Sequence, residues 1–215
     1  LGALSAILPS LVPEEIAQYH LVETASLGLV GQVLIGYLAV SLATATLHRA
    51  YHRYSFLWRW VHQLHHSPQR LDISGGVYFT PIEMVNNVVI SFVVMVFVLG
   101  LSPVAAAIVG YIAVFYGLFQ HLNVKTPQWL GYLIQRPESH SVHHRRGFHA
   151  YNYSDLPIWA ILWGTFRNPK EFHGDVGFER APSEEMGAML IGRDANAALY
   201  GPGNRGRTDP QTNPA

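Results

Sequence analysis

Charge is absent from long stretches of this chain. No Asp, Glu, Lys or Arg occurs between residues 25 and 47, where Leu, Val, Ala and Gly dominate. At 1.5 Å per residue such a run, once helical, crosses a hydrocarbon core of roughly 30 Å. It predicts a transmembrane helix. A second uncharged run covers residues 84–120 and is interrupted at Gly100-Leu101-Ser102-Pro103. Gly and Pro punctuate helices, so this run predicts a hairpin of two short membrane helices, about 85–99 and about 104–120. The expected fold class is an all-α integral membrane protein with about three transmembrane helices, one crossing plus the hairpin, and a helical cap. Residues 1–24, with Pro9, Pro13, Glu14 and Glu15, read as an interfacial or truncated N-terminal segment. The main domain is expected over 25–175 and a tail over 176–215, disordered by composition from about 201.

Composition agrees. A 49% hydrophobic and 13% charged chain is too apolar for an ordinary soluble domain. With 14 basic and 14 acidic residues, no electrostatic case for nucleic acid exists. The placement of charge is more telling than its sum. No Lys or Arg precedes Arg49 and none lies in the turn at 100–103, whereas Arg49, Arg53, Arg59, Arg70, Lys125, Arg136, Arg145, Arg146, Arg167 and Lys170 flank the opposite helix ends. The positive-inside rule puts that face in the cytoplasm. Segments 48–83 and 121–215 are then expected to meet there. The absence of cysteine excludes disulfides, Cys-zinc sites, iron–sulfur clusters and thiol nucleophiles.

Any metal must therefore be held by His, Asp or Glu, and histidine is abundant, at 12 residues. The chain reads His48-Arg-Ala-Tyr-His52, His62-Gln-Leu-His65-His66, His121 and His140-Ser-Val-His143-His144, with His149 close behind. Independent placement would give roughly 0.04 copies of His-x-x-His-His, and the chain has two. Residues three and four apart share a helix face, so each cluster can aim its imidazoles at one point. Ser55 is the expected N-cap of a helix over 56–66, and Pro137 suits the first turn of a helix that runs through Arg146 and that Gly147 ends. His20 and His173 lie outside every cluster and read as surface residues. Eight or nine histidines exceed the three or four that one zinc takes, which suggests two metals with open positions. Imidazole suits zinc, copper, iron and nickel alike. The Glu-x-x-His pairs of ferritin-like di-iron bundles are absent. An all-His shell is neutral, so supporting carboxylates are expected around it, with Asp72, Glu83, Glu138 and Asp155 as candidates.

These motifs resemble the fatty acid hydroxylase and sterol desaturase superfamily. The resemblance covers about residues 47–169 and includes the three His boxes, Leu57-Trp58, Phe119-Gln120-His121-x-Asn123, Pro137-Glu138, Asn152-Tyr153 and the run from Trp163 to Pro169. It implies an oxygen-dependent lipid or sterol hydroxylase or desaturase. The metal ligands would be His48, His52, His62, His65, His66, His121, His140, His143 and His144, with His149 as an additional candidate. Two irons would sit there, with zinc as the alternative occupant of a purified sample. Dioxygen, an external electron donor and the bilayer would be its partners. The chain departs from the common pattern at Ser41, Thr80, Ser154 and Ala160, which thins the expected support around the ligands. A non-catalytic membrane subunit of a larger complex is the rival reading. A bis-His haem protein needs fewer histidines than the boxes supply, and a transporter would place its ligands near the midplane rather than at helix ends.

Overall fold

The computed structural model describes residues 7–195. The tail expected to be disordered from 201 lies outside them. Among the described residues the fold is helical without a strand, and the β-type pairing is an isolated bridge between Arg145 and Val176. The six longest α-helices are α1 (Gly28–Arg53), α2 (Pro81–Val93), α3 (Pro103–Phe119), α4 (Pro137–His143), α5 (Pro157–Leu162) and α6 (Pro182–Leu190).

Helix α1 outlasts the uncharged run that predicted it. No proline or glycine follows residue 47 until Pro68, so the helix carries on through His48 and His52 and stops where Tyr54 turns extended (φ −107°, ψ 119°). Helix α2 starts at Pro81 rather than near 85, because Thr80 caps it by accepting from Glu83 N and Pro81 occupies the first turn. Its end passes into a π turn, Val94–Val98. Ser102 and Pro103 start α3 in the same way. Residues Ala25–Arg53 and Pro81–Val98 form helices long and apolar enough to cross a membrane, while the apolar α3 has 17 residues.

Val40, Met95, Leu101, Ala105 and Val109 form the core between these helices. A Cβ on Gly36 would stand 2.7 Å from Leu101 and 3.0 Å from Val109, so α1 meets the hairpin closely there and a larger residue would push these side chains aside. The outward faces carry exposed Leu34, Leu38, Val85, Val89, Tyr111 and Phe115, an apolar exterior suited to lipid. The N-terminal segment ties to the hairpin turn, with Thr24 Oγ1 donating to Leu99 O at 2.8 Å.

The polar end is built from the rest. After α1 comes a broken helical stretch, α-helical over Ser55–Leu57, π over Trp58–His62 and α-helical again over Gln63–His66. Tyr54 occupies its N-cap position, so Ser55 is the first helical residue and not the expected cap. Helix α4 ends at His143, short of Arg146; Gly147 (φ 76°) follows in the turn. A second small core of Trp58, Leu64, Phe178 and Met189 seats α6 against this stretch.

Candidate metal centre

The boxes meet at the polar end, but not as one target per box. His48, His52, His62, His66 and His143 form one group and His65, His121, His140 and His144 another, each with its ligand atoms within 4.8 Å of one another. Each His-x-x-His-His box is therefore divided. At 3.6 residues per turn the middle histidine falls about 60° to one side of the first and the last about 40° to the other, so the adjacent pair points about 100° apart. His62 and His66 go to the first group and His65 to the second; His140 and His144 go to the second and His143 to the first. The π turn Trp58–His62, a feature that recurs at functional sites, ends on His62, the first residue of the His62–His66 box. His66 and His144 stack at 4.1 Å and join the groups.

The ring nitrogens show what the groups are built for. Tyr153 O lies 3.0 Å from His48 Nδ1, Tyr151 O 2.7 Å from His143 Nδ1, and Gly117 O 2.7 Å from His121 Nδ1. A carbonyl accepts only, so each of these rings carries its proton on Nδ1 and turns a bare Nε2 lone pair inward. His121 Nε2 lies 3.3 Å from His65 Nε2 and 3.0 Å from His140 Nε2, and His144 Nε2 stands 3.0 Å from His140 Nε2. In the other group His62 and His66 face each other through Nε2 at 3.0 Å, while Nε2 of His48 and of His143 are buried without a hydrogen-bond partner. Burial, and after it the neighbouring imidazoles, pushes His62, His65, His66, His140, His143 and His144 well below the ordinary histidine range. Burial brings His121 down to about 4. The rings are neutral near pH 7, and two adjoining clusters of neutral imidazole nitrogens are a donor set that fits a metal in each group.

The surrounding residues divide differently from expectation. Glu83 is buried with Oε1 2.6 Å from His62 Nδ1, while its Oε2 is buried without a hydrogen-bond partner. Asp72 instead caps the short helix Ile73–Gly76 and pairs with Arg70 at 2.8 Å; its bond from Gly75 N lowers its carboxyl below the usual range. Glu138 is committed to Thr126 N (2.7 Å), Thr126 Oγ1 (2.8 Å) and the buried Arg136 (3.0 Å). Neither carboxylate has a hydrogen bond or ion pair to a histidine, because capping and Arg136 claim their oxygens. Asp155 likewise bonds no ring nitrogen; it lines the cavity described below. His149 joins neither group. Its Nδ1 stands 3.1 Å from His66 Nδ1, behind a ligand candidate. His20 pairs with Glu23 and His173 with Glu171, away from both groups.

Several supports carry no side-chain signal. Gln135 places its carboxamide 2.7 Å from His140 Nδ1. The carbonyls of Tyr151 and Tyr153 come from a loop in which His149, Tyr151 and Asn152 have φ of 44°, 68° and 45°. Such conformations cost on the order of 1–3 kcal/mol each. Asn152 holds the loop there by donating to Ser139 O and Arg167 O and accepting from Arg167 N. Gly76 is the other silent support, since a Cβ there would come within 2.6 Å of the His121 ring.

A cavity of about 490 Å³ runs from His48, His62, His65, His121 and His140 down between α1, α2 and α3 to Val40, Met95 and Val109. Its walls are largely apolar, with Met84, Val88, Ala113, Val114 and Leu118 among them. A long apolar chain would fit such a space, with its polar end near the histidines.

The fatty acid hydroxylase family model matches residues 33–165, more than half of the chain and all nine grouped histidines. The chain belongs to the fatty acid hydroxylase family. It is 26% identical over 145 residues to sphinganine C4-monooxygenase 1 of Arabidopsis thaliana, covering 65% of this chain and 56% of that protein. It thus spans little more than half of its relative's length. No solved structure matches. Within this family member the departures are locally satisfied. Ser41 Oγ meets Ser154 Oγ and Trp159 Nε1, both at 3.2 Å. Thr80 donates to Val61 O at 2.9 Å, and Ala160 is buried.

Proposed function

We propose that this family member is an oxygen-dependent lipid hydroxylase or desaturase whose nine grouped histidines hold two irons at the cytoplasmic membrane face. The observation that supports it is the convergence of buried imidazole nitrogens in two adjoining groups at one end of an apolar cavity. Iron bound there would supply activation of dioxygen. The remaining tasks fall to the chain. The walls of α1, α2 and α3 hold the apolar substrate and exclude water, which protects a reactive oxidant from side reactions. Glu83 and the carbonyls of Tyr151, Tyr153 and Gly117 fix the proton on Nδ1 of their histidines. In hydroxylation a C–H bond becomes C–OH, the second oxygen atom leaves as water, and an external donor supplies two electrons with two protons. In desaturation two hydrogens leave the chain and both oxygen atoms become water with the same electron supply.

The rival, a non-catalytic subunit that keeps the fold and with it a metal, would leave membrane lipids unoxidised. Elemental analysis of protein from iron-replete cells should find close to two metal ions per chain, chiefly iron. Below half an ion per folded chain overturns the proposal. Mass spectrometry of membrane lipids should then show an oxygen-dependent gain of one oxygen atom or loss of two hydrogens. The orientation rests on the Arg and Lys residues around the histidine end. Reporters fused after Arg70 and after Pro169 should read cytoplasmic and one at Leu101 the opposite side.

A further inference from the structure

Helix α5 lies where a cytoplasmic cap should not. Trp163 stacks under the Arg49 guanidinium at 5.2 Å, a pairing typical of the membrane–water boundary, where Arg reaches toward water and Trp straddles the interface. Trp159, one turn earlier, donates its indole N–H to Ser41 at 3.2 Å. Ser41 is eight residues below Arg49 on the spanning helix, or about 12 Å toward the bilayer interior. The helix therefore descends from the boundary into the depth of the acyl chains.

Its sequence matches that depth. No charged residue occurs between Asp155 and Arg167. Pro157 and Ala160 are buried, while Ile158, Ile161 and Leu162 are exposed. Beside α5 the 3-10 helix Gln128–Tyr132 adds exposed Trp129 and Tyr132, and Tyr132 contacts Phe166 at 5.7 Å. Leu38 and Leu42, on either side of Ser41 in α1, are exposed as well. The apolar surface of the span thus continues onto α5 at one level. In water three such exposed side chains on a six-residue helix would be costly; among acyl chains they are at home.

We infer that α5 is a membrane-embedded wedge, seated among the acyl chains of the leaflet nearest the histidines, with the 3-10 helix Gln128–Tyr132 at the boundary above it. The occupant of this face is lipid, because its depth is set by Ser41 on a spanning helix and its surface is continuous with that helix. The wedge leads directly from Tyr153, Ser154 and Asp155, which line the cavity, so the cavity wall is anchored in the leaflet from which a lipid would come.

The chain has no native cysteine, so nitroxides can be placed singly. Ile158→Cys, Ile161→Cys and Leu162→Cys, in lipid nanodiscs, should collide with dissolved oxygen several-fold more than with a water-soluble nickel chelate, and so should the control Leu38→Cys on the spanning helix. The preference should reverse at the exposed Glu179. A water-like ratio at residues 158 and 161 overturns the wedge. Weak collision with both, accompanied by spin–spin broadening between copies, overturns it in favour of a contact between two chains. In the unmodified protein, a phospholipid carrying a diazirine at mid-chain should label the peptide spanning 156–166. Absence of label there, with label on 34–42, overturns it independently of any variant's folding and of the iron reading.

Discussion

The five-histidine and four-histidine groups draw on the same two boxes, yet they are held differently. The larger group is backed by a carboxylate, Glu83 on His62, by His149 on His66 and by the carbonyls of the left-handed loop. The smaller is backed only by neutral partners, Gly117 O and the Gln135 carboxamide. Three of its four histidines, His65, His121 and His140, line the cavity, against His48 and His62 of the other five. The difference suggests a division of labour. A saturated position whose His62 is held by Glu83 suits an ion that stays put, and a four-ligand position open to the cavity suits an ion that meets oxygen and substrate.

The largest effects should come from deleting ligands on either side of this divide. His140→Ala leaves three histidines in the smaller group and should abolish lipid oxidation with loss of about one ion per chain. His143→Ala leaves four in the larger group, so its ion should be held more weakly but not lost outright. The exposed His173→Ala should change neither. Metal-to-protein ratios after dialysis against a chelator test the contrast. Equal loss of both ions from either variant would mean that the shared boxes make one cooperative unit.

A smaller, more selective blow is Gly76→Ala. The new methyl would stand 2.6 Å from His121 Cγ and 2.7 Å from Cβ, so the ring must move. A ligand displaced by about 1 Å can cost on the order of 10²-fold in rate. Activity should fall by that order, with the metal loss confined to the four-histidine group. Unchanged turnover would show that His121 has slack.

The same contrast marks what the sequence discloses. The uncharged runs gave the apolar helices, and box spacing named nine histidines that do converge, because periodicity is a local property. Local reasoning could not divide the boxes between two centres; that depends on how the Gln63–His66 segment faces α4 across the fold. Nor could it choose among acidic residues. Glu83 follows a Thr-Pro start signal that turns it toward His62, whereas Asp72 and Glu138 sit in equally suggestive places and serve a cap and an arginine. Gly76 and the carbonyls of Tyr151 and Tyr153 act through shape and backbone, which leave no chemical signature in a list of side chains, and the Gln135 carboxamide reaches His140 from outside every box.

Next in size is Glu83→Gln, which keeps shape and an acceptor for His62 but removes the carboxyl that, among the described residues, bonds a grouped histidine. Loss of such a partner costs roughly 10- to 100-fold in metal affinity or activity. The loss should fall on the five-histidine group, read as faster chelator extraction of one ion. Extraction that is accelerated equally from both groups would deny the carboxylate its local role.

The smallest effect concerns the neutral side. Asp155 faces the cavity rather than bulk water. Burial pushes its carboxyl up to about 7, offset in part by a hydrogen bond with Gln120. Gln120 Oε1 in turn accepts from Gln135 Nε2 at 3.0 Å, behind His140. The folded state holds this proton up to about pH 7, while the unfolded chain releases it near pH 4. The contribution of the protonated carboxyl is therefore fully present below about pH 4 and lost as pH rises through about 7. Asp155→Asn mimics the neutral form at every pH. It should match the parent near pH 4 and exceed it at pH 8, by on the order of 4 kcal/mol. Thermal midpoints measured in the same lipid or detergent across that range provide the test. Curves that run parallel throughout would mean that the carboxyl ionises normally and that the four-histidine group has a negative charge close behind it, which would erase the contrast between the two groups.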